Sequence, residues 1–316
     1  MDFALTDEQV AIARTAREYL ADRYPPARLA ELSDSDGPYT DLASWPELVR
    51  QGWFDPDLGD LERGLLAEES GYALHPVPWL GSLATGGLVP DPAALILDGP
   101  FTEAGGRVRG VAEPVADAGV ATSAVIVTRT SGVFVVDTME CSELSSVDGL
   151  RRSWRVRVDA PGRPLPAAAT VVRNRAAALL ACEAVGVAQR ALDLAVAYAK
   201  VRTQFDRPIG AYQAVAHQLA DAYAAVELAR SLAYRAAWLP DDPLALATAT
   251  VASRRAAVLA CEHAIQVTGG LAVTWEYPLH RWFRRALWLD CEHGDHLAVV
   301  ATAVLDDGKV NRHVYA

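Results

Sequence analysis

The stretch Cys182–Gly210, CEAVGVAQRALDLAVAYAKVRTQFDRPIG, most restricts how this chain can fold. No proline interrupts it before Pro208, and the charged residues of its first part, Glu183, Arg190, Asp193 and Lys200, advance by seven, three and seven positions. At about 100° per residue these four fall within one arc of roughly 100°. The rest of the circumference is mostly Ala, Val, Leu and Tyr, which predicts a long helix largely buried among other helices. It ends in a basic, aromatic, Pro- and Gly-bearing turn that begins at Arg202 and closes at Gly210. Such a turn offers a planar guanidinium and an aromatic ring to an anionic, ring-containing ligand.

The chain has 316 residues, enough for two or three subdomains. Its 51% hydrophobic and 22% charged content is that of a globular protein. A net charge of −11 argues against nucleic acid or an anionic membrane surface as the main partner. It leaves room for a locally basic phosphate pocket. No apolar run reaches the roughly 18 residues of a membrane span, and the amino terminus, MDFALTDEQ, is acidic rather than a signal peptide. Cys141, Cys182, Cys261 and Cys291 are scattered without metal-ligand spacing. They read as thiols in a reducing compartment, and the expected location is cytoplasmic.

Taken in order, residues 3 to about 24 predict a helix capped by Thr6, with Glu8 and Gln9 in its first turn, and Pro25-Pro26 ends it. Short helices follow at Trp45–Gln51 and Leu61–Leu74. Glu68 and Glu69 in the latter read as a solvated helix face rather than an acid–base pair. From Val89 to Pro164, short β-branched runs punctuated by Gly, Pro and Asp predict a small β domain. From Ala167 onward the pattern is helical again, with a tight turn at Asp241-Asp242-Pro243 and a long Ala-rich helix over Leu244–Gln266. Thr268-Gly269-Gly270 breaks that helix, and a last one begins near Tyr277-Pro278.

Two separated segments, YAKVRTQFDRPIGAYQAVAHQLAD and AIQVTGGLAVTWEYPLHRWFRRA, resemble the C-terminal helical domain of the FAD-dependent acyl-CoA dehydrogenases. LLAEESGYALHPVPWL resembles that family's amino-terminal helical phrase. The resemblance implies an α+β fold: an N-terminal helical domain over residues 1–88, a reduced middle β domain over 89–165, and a C-terminal four-helix bundle over 166–316. It also implies a role for Arg202, Gln204 and Phe205. In the family the arginine of this motif contacts the FAD pyrophosphate and the phenylalanine packs on the cofactor, both across a subunit interface. Without the resemblance, Arg202 is a surface cation favoured by a helix C-terminus and Phe205 a core aromatic. Gln266, Gly269 and Gly270 match the loop that reaches the FAD diphosphate and adenosine of the neighbouring subunit. Read alone, Gly269 is a plain helix C-cap.

The family also needs a carboxylate that removes the α-proton of an acyl-CoA while the flavin takes the β-hydride. One position used for it lies on the helix before the arginine motif, where this chain reads Arg173-Asn174-Arg175-Ala176-Ala177. The other follows the last motif, where Glu292 and His293 stand as candidate catalytic residues. A solvated polar helix end is the plainer reading of that pair. The flavin-ring loops of full-length members are missing, and Glu113-Pro114 matches one of them only superficially. Together these departures resemble the short subunit of the heteromeric, steroid side-chain type of acyl-CoA dehydrogenase. Its full-length partner subunit supplies the base. The alternatives are a self-sufficient homo-oligomer using Glu292 and His293 for dehydrogenation or elimination, and a non-catalytic scaffold of the same fold.

Overall fold

Local caps set where the helices begin. In the computed structural model, helix α1 (Asp7–Arg23) opens with a reciprocal capping box. Thr6 Oγ1 accepts from the Gln9 amide at 3.2 Å, and Gln9 Oε1 accepts from the Thr6 amide at 3.0 Å. The structure describes residues 4–34, 37–97, 99–130 and 132–291, with Val300 and Thr302. Pro25-Pro26 stops α1 and also starts α2 (Pro26–Ser33), because a proline at the first helical position has no N–H to leave unpaired. The sequence marks the stop and not the new start. Helices α3 (Trp45–Arg50), α4 (Asp60–Ala73) and α5 (Leu80–Ala84) follow.

The middle section holds strands β1 (Ala93–Ile96), β2 (Thr102–Ala104), β3 (Arg107–Ala116), β4 (Ser123–Val127), β5 (Val133–Val136), β6 (Glu140–Glu143), β7 (Ser153–Pro161) and β8 (Arg163–Pro164). They form two four-stranded sheets, ordered β1-β4-β5-β8 and β2-β3-β7-β6. Within them β1 and β4 run parallel and the other pairs antiparallel. Ile96, Ile126 and Val136 of the first sheet pack with Val108, Val156 and Val158 of the second. The other face of the first sheet, with Val125, Val127, Val133 and Val135, belongs to the helical core. Strand β4 is covered on both faces, so its sequence SAVIV is apolar without alternation. Strand β7 has one open face, and it alternates buried Val156 and Val158 with exposed Arg155 and Arg157.

The carboxyl-terminal section is helical: α6 (Ala169–Val201), α7 (Gln213–Trp238), α8 (Pro243–Thr268) and α9 (Leu279–Cys291). Asp242 caps α8, its Oδ1 accepting from the Leu244 and Ala245 amides. Helix α6 is central and packs against α4, α7, α8 and α9. Its crossing with α4 is backbone against backbone. A Cβ at Gly186 would strike the Glu68 carbonyl, and one at Gly71 the Glu183 carbonyl. Helix α8 is long and apolar enough, by length and composition, to cross a membrane. In this fold Ala249, Ala256, Ala257 and Ala260 are buried in the helical core.

The expectation of a solvated face for Glu68 and Glu69 fails, because α4 is clasped on both sides. Both residues are buried. Glu68 accepts from Arg230 Nε at 3.0 Å and from the Tyr234 hydroxyl at 2.7 Å. Glu69 accepts from Nε and Nη2 of Arg17. The polar arc of α6 is likewise an internal seam for much of its length. Glu183 is fully buried, while Arg190 and Asp193 share the Tyr72 hydroxyl at 3.2 and 2.9 Å.

Candidate functional site

Arg202 is the residue at which α6 stops. Its amide still donates to the Tyr198 carbonyl at 2.9 Å, but its backbone has turned extended. The next residues form a small hairpin, β9 (Thr203–Gln204) and β10 (Arg207–Pro208), paired Gln204 with Arg207 and Thr203 with Pro208. Its two central residues, Phe205 and Asp206, have φ of 51° and 61°. Two left-handed residues in succession match the twist of a two-residue hairpin, and here neither is glycine. The hairpin is tied to the start of α7. The Tyr212 hydroxyl donates to the Gln204 carbonyl at 3.0 Å, the Arg207 guanidinium lies 4.0 Å from the Tyr212 ring centroid, and the Ile209 amide donates to the Arg202 carbonyl. Arg202, Gln204 and Phe205 are all exposed, Phe205 by 88%, which rules out a core role for its ring.

Gln266, Gly269 and Gly270 stand at the end of α8. Gly269 is the C-cap, with φ 72° and ψ −152°, a region essentially restricted to glycine. Gly269 and Gly270 are exposed, and a Cβ on either would meet nothing within 4 Å. Two ties place this segment at the same end of the bundle as the hairpin. His263 Nδ1 in α8 lies 2.9 Å from the Gln218 carbonyl in the second turn of α7. The Tyr277 hydroxyl, beyond the glycines, donates to the Leu194 carbonyl of α6 at 3.3 Å, and its ring lies edge-on to Tyr198. Gln266 also lines a groove of about 410 Å³ with Ile265, Trp275, His280 and Arg284. Trp275 is 62% exposed, under the Arg284 guanidinium at 4.9 Å and against the His280 ring. Burial first, then Arg281 and Arg284, lower the His280 pKa to about 4, so this imidazole is neutral at neutral pH.

The donor set suits FAD. An exposed guanidinium and the open backbone of Gly269-Gly270 suit a diphosphate, an exposed ring covers an aromatic face, and the Gln266 amide donates or accepts. All of these residues are exposed at the bundle end.

A second place of interest is the junction between the first sheet and the helices. The segment Arg173–Ala177 of α6 carries no acid there. Arg173 donates to the Leu97 carbonyl at 2.6 Å, Asn174 to the Pro240 carbonyl at 2.8 Å, and Arg175 pairs with Asp60 at 2.5 Å. Ala176 lines a cavity of only about 40 Å³. Behind it lies a buried ionic cluster that the sequence does not reveal. Glu183 accepts from Arg151 Nη1 at 2.7 Å and from Arg285 Nη1 at 2.6 Å. Arg285 also donates to Asp148 and, at 3.4 Å, to the Leu150 carbonyl. Arg151 lies against the Trp288 ring, 4.7 Å from its centroid. Burial pushes the Glu183 pKa up, but the guanidiniums of Arg151 and Arg285 outweigh it and leave it below its ordinary value. The available signal was Glu183 itself, a single acid inside the apolar run LLACEAVGVA, because a buried carboxylate requires a cation. Glu292 and His293 lie outside the described residues, which stop at Cys291 in this part of the chain.

Comparison with known proteins agrees with this fold. Residues 167–296 match the family described as "Acyl-CoA dehydrogenase, C-terminal domain". The acyl-CoA dehydrogenase IpdE2 of Mycobacterium tuberculosis is 33% identical over 315 residues, covering 89% of this chain and 91% of that protein. Among solved structures, the Tcur3481-Tcur3483 steroid ACAD superposes with a TM-score of 0.84 at 23% identity, over 96% of this chain and 99% of the other. The ChsE4-ChsE5 complex from Mycobacterium tuberculosis gives 0.81 at 22% identity, over 100% and 99%. With homology running nearly end to end, the chain belongs to the acyl-CoA dehydrogenases, the family whose cofactor is FAD.

Proposed function

We propose that this chain is the short, base-lacking subunit of a heteromeric acyl-CoA dehydrogenase acting on a steroid side-chain thioester. It completes an FAD site whose catalytic carboxylate and flavin-ring pocket belong to a full-length partner subunit. The observation that carries this reading is the contrast between the two places described above. Ligand pockets span roughly 300–1,000 Å³, whereas the cavity beside Ala176 has about 40 Å³ and is backed by the Glu183 cluster. The residues suited to FAD stand exposed at the far end of α6 and α8. The likeness to two solved proteins whose names join two chains, one of them called a steroid ACAD, supports the partner and the substrate class.

In this assembly Arg202 would hold the diphosphate, for which a planar guanidinium offers paired donors that lysine lacks. Phe205 covers an aromatic face of the cofactor, and Gln266, Gly269 and Gly270 bring amide and backbone groups to its remaining polar atoms. When bound, FAD would supply the acceptor for the hydride leaving the β-carbon of the acyl thioester. This chain holds and orients the cofactor and moves no proton.

The test is an absorption spectrum and native mass of the chain purified alone and co-expressed with a full-length acyl-CoA dehydrogenase subunit. Alone, it is expected to be colourless or aggregated. Co-expressed, it is expected to yield a yellow mixed oligomer with turnover. Near one FAD per chain and turnover by the isolated chain would overturn the proposal.

A further inference from the structure

The lining of the small cavity at the sheet–helix junction includes two residues with a buried polar atom that makes no hydrogen bond within the protein. Trp79, just before α5, is fully buried, and its indole Nε1–H has no hydrogen-bond partner within the protein. Asp117, just after β3, is 5% exposed. Its Oδ2 lies 3.9 Å from Arg151 Nε, and its Oδ1 has no partner. Both side chains line the same cavity of about 40 Å³, with Arg151, Ala176, Leu180 and Trp288.

An indole nitrogen only donates, and an ionised carboxylate oxygen only accepts. A water molecule does both. It needs roughly 10–15 Å³ of such volume and at least two polar partners; the cavity has the volume, and its lining residues include one unpaired donor and one unpaired acceptor. Apolar occupants are disfavoured, because they would leave a buried donor and a buried acceptor unpaired. We propose that this cavity is a water-binding site in which ordered water bridges Trp79 Nε1–H to Asp117 Oδ1. The bridge makes the junction a hydrated polar lock between the start of α5 and the end of β3. It stands whether or not a partner subunit supplies the catalytic base.

The bridge also carries a proton signal. Burial raises the Asp117 pKa to about 6, against the pull of Arg151, Arg285 and Tyr39 and with the push of Asp148. The other titratable groups behind Arg151 are Glu183, held ionised, and His75, held neutral by burial and by Arg151, Arg285 and Arg23. When Asp117 takes up a proton the bridging water reverses from donor to acceptor, and the Trp79 indole senses the change.

A crystal structure of the purified assembly, at a resolution that places waters, is expected to show density within hydrogen-bond distance of both atoms. A direct indole–carboxylate bond, or a cavity without density, overturns the proposal. In solution, with ¹⁵N-labelled tryptophan, the Trp79 indole signal is expected to exchange magnetisation with long-lived water. Its shift is expected to titrate near pH 6, and Asp117→Asn is expected to abolish the titration while keeping the water contact. Loss of the water contact in the unmodified protein refutes the bridge even if no variant folds.

Discussion

Replacing Glu183 with Gln is the sharpest test of how the sheet is held to the helices. The side chain is fully buried and accepts one hydrogen bond from each of two arginines. Glutamine keeps the shape and removes the charge. Arg285 retains Asp148 and the Leu150 carbonyl, but Arg151 is left with Asp117 at 3.9 Å. Breaking a buried pair by removing one partner costs about 3–5 kcal/mol, because the other charge stays buried and uncompensated. For a chain of this size roughly 2 °C accompanies each kcal/mol, so Tm should fall by about 6–10 °C. Urea unfolding followed by tryptophan fluorescence gives the free energy directly. The pH dependence supplies a second readout. The folded-state pKa of Glu183 lies below its ordinary 4.5, so its stabilisation is present above that value and lost as pH falls through the folded pKa. Glu183→Gln should remove that acid-side loss. Asp117 runs the other way: its contribution is complete below 3.8 and disappears as pH rises through about 6. A loss under about 1 kcal/mol at neutral pH would refute the reasoning, since it would mean that the cluster is solvated as an exposed pair is.

Other perturbations separate stability from cofactor binding. Arg202→Ala should weaken FAD binding to the co-expressed complex by roughly 10–150-fold, the value of a charge-assisted hydrogen bond of about 1.5–3 kcal/mol, with Tm unchanged because the residue is exposed; equilibrium dialysis measures it. Gly270→Ala meets open space and should spare stability while weakening FAD retention. Gly186→Ala drives a methyl into the Glu68 carbonyl and should cost at least the upper end of the roughly 1–3 kcal/mol typical of overpacking, read from the urea midpoint. Under the two-subunit reading, Glu292→Gln and His293→Ala leave turnover of the complex nearly unchanged. A self-sufficient enzyme would lose roughly 10²–10⁴-fold on removal of its general base, which steady-state kinetics distinguishes.

What the sequence disclosed were features written within a few residues of one another. Thr6 with Gln9 and Gly269 at the end of α8 are caps whose partners lie within a turn, and both appear where the pattern puts them; the turn expected at Asp241-Asp242-Pro243 also supplies the cap of α8, which the sequence pattern does not name. The Arg202–Phe205 and Gln266–Gly270 segments were visible as motifs. That they share one end of the bundle needed the fold, because the ties run through His263 to Gln218 and through Tyr277 to Leu194. Glu68, Glu69 and Glu183 were obscured for the same reason. Their cations, Arg230, Arg17, Arg151 and Arg285, stand between 32 and 162 positions away. Helical periodicity cannot tell an acid facing water from one facing an arginine of another helix.

The left-handed turn at Phe205 and Asp206 has a kinetic consequence. Each such residue costs roughly 1–2 kcal/mol relative to ordinary backbone, and in the folded chain the hydrogen bond from Tyr212 to the Gln204 carbonyl ties the hairpin to the start of α7. Under the two-subunit reading, Phe205 then meets the partner subunit on a hairpin that is already formed, and no loop has to be ordered at the encounter. Association in that reading would be the docking of two finished surfaces, with its rate governed by mutual orientation rather than by a folding step.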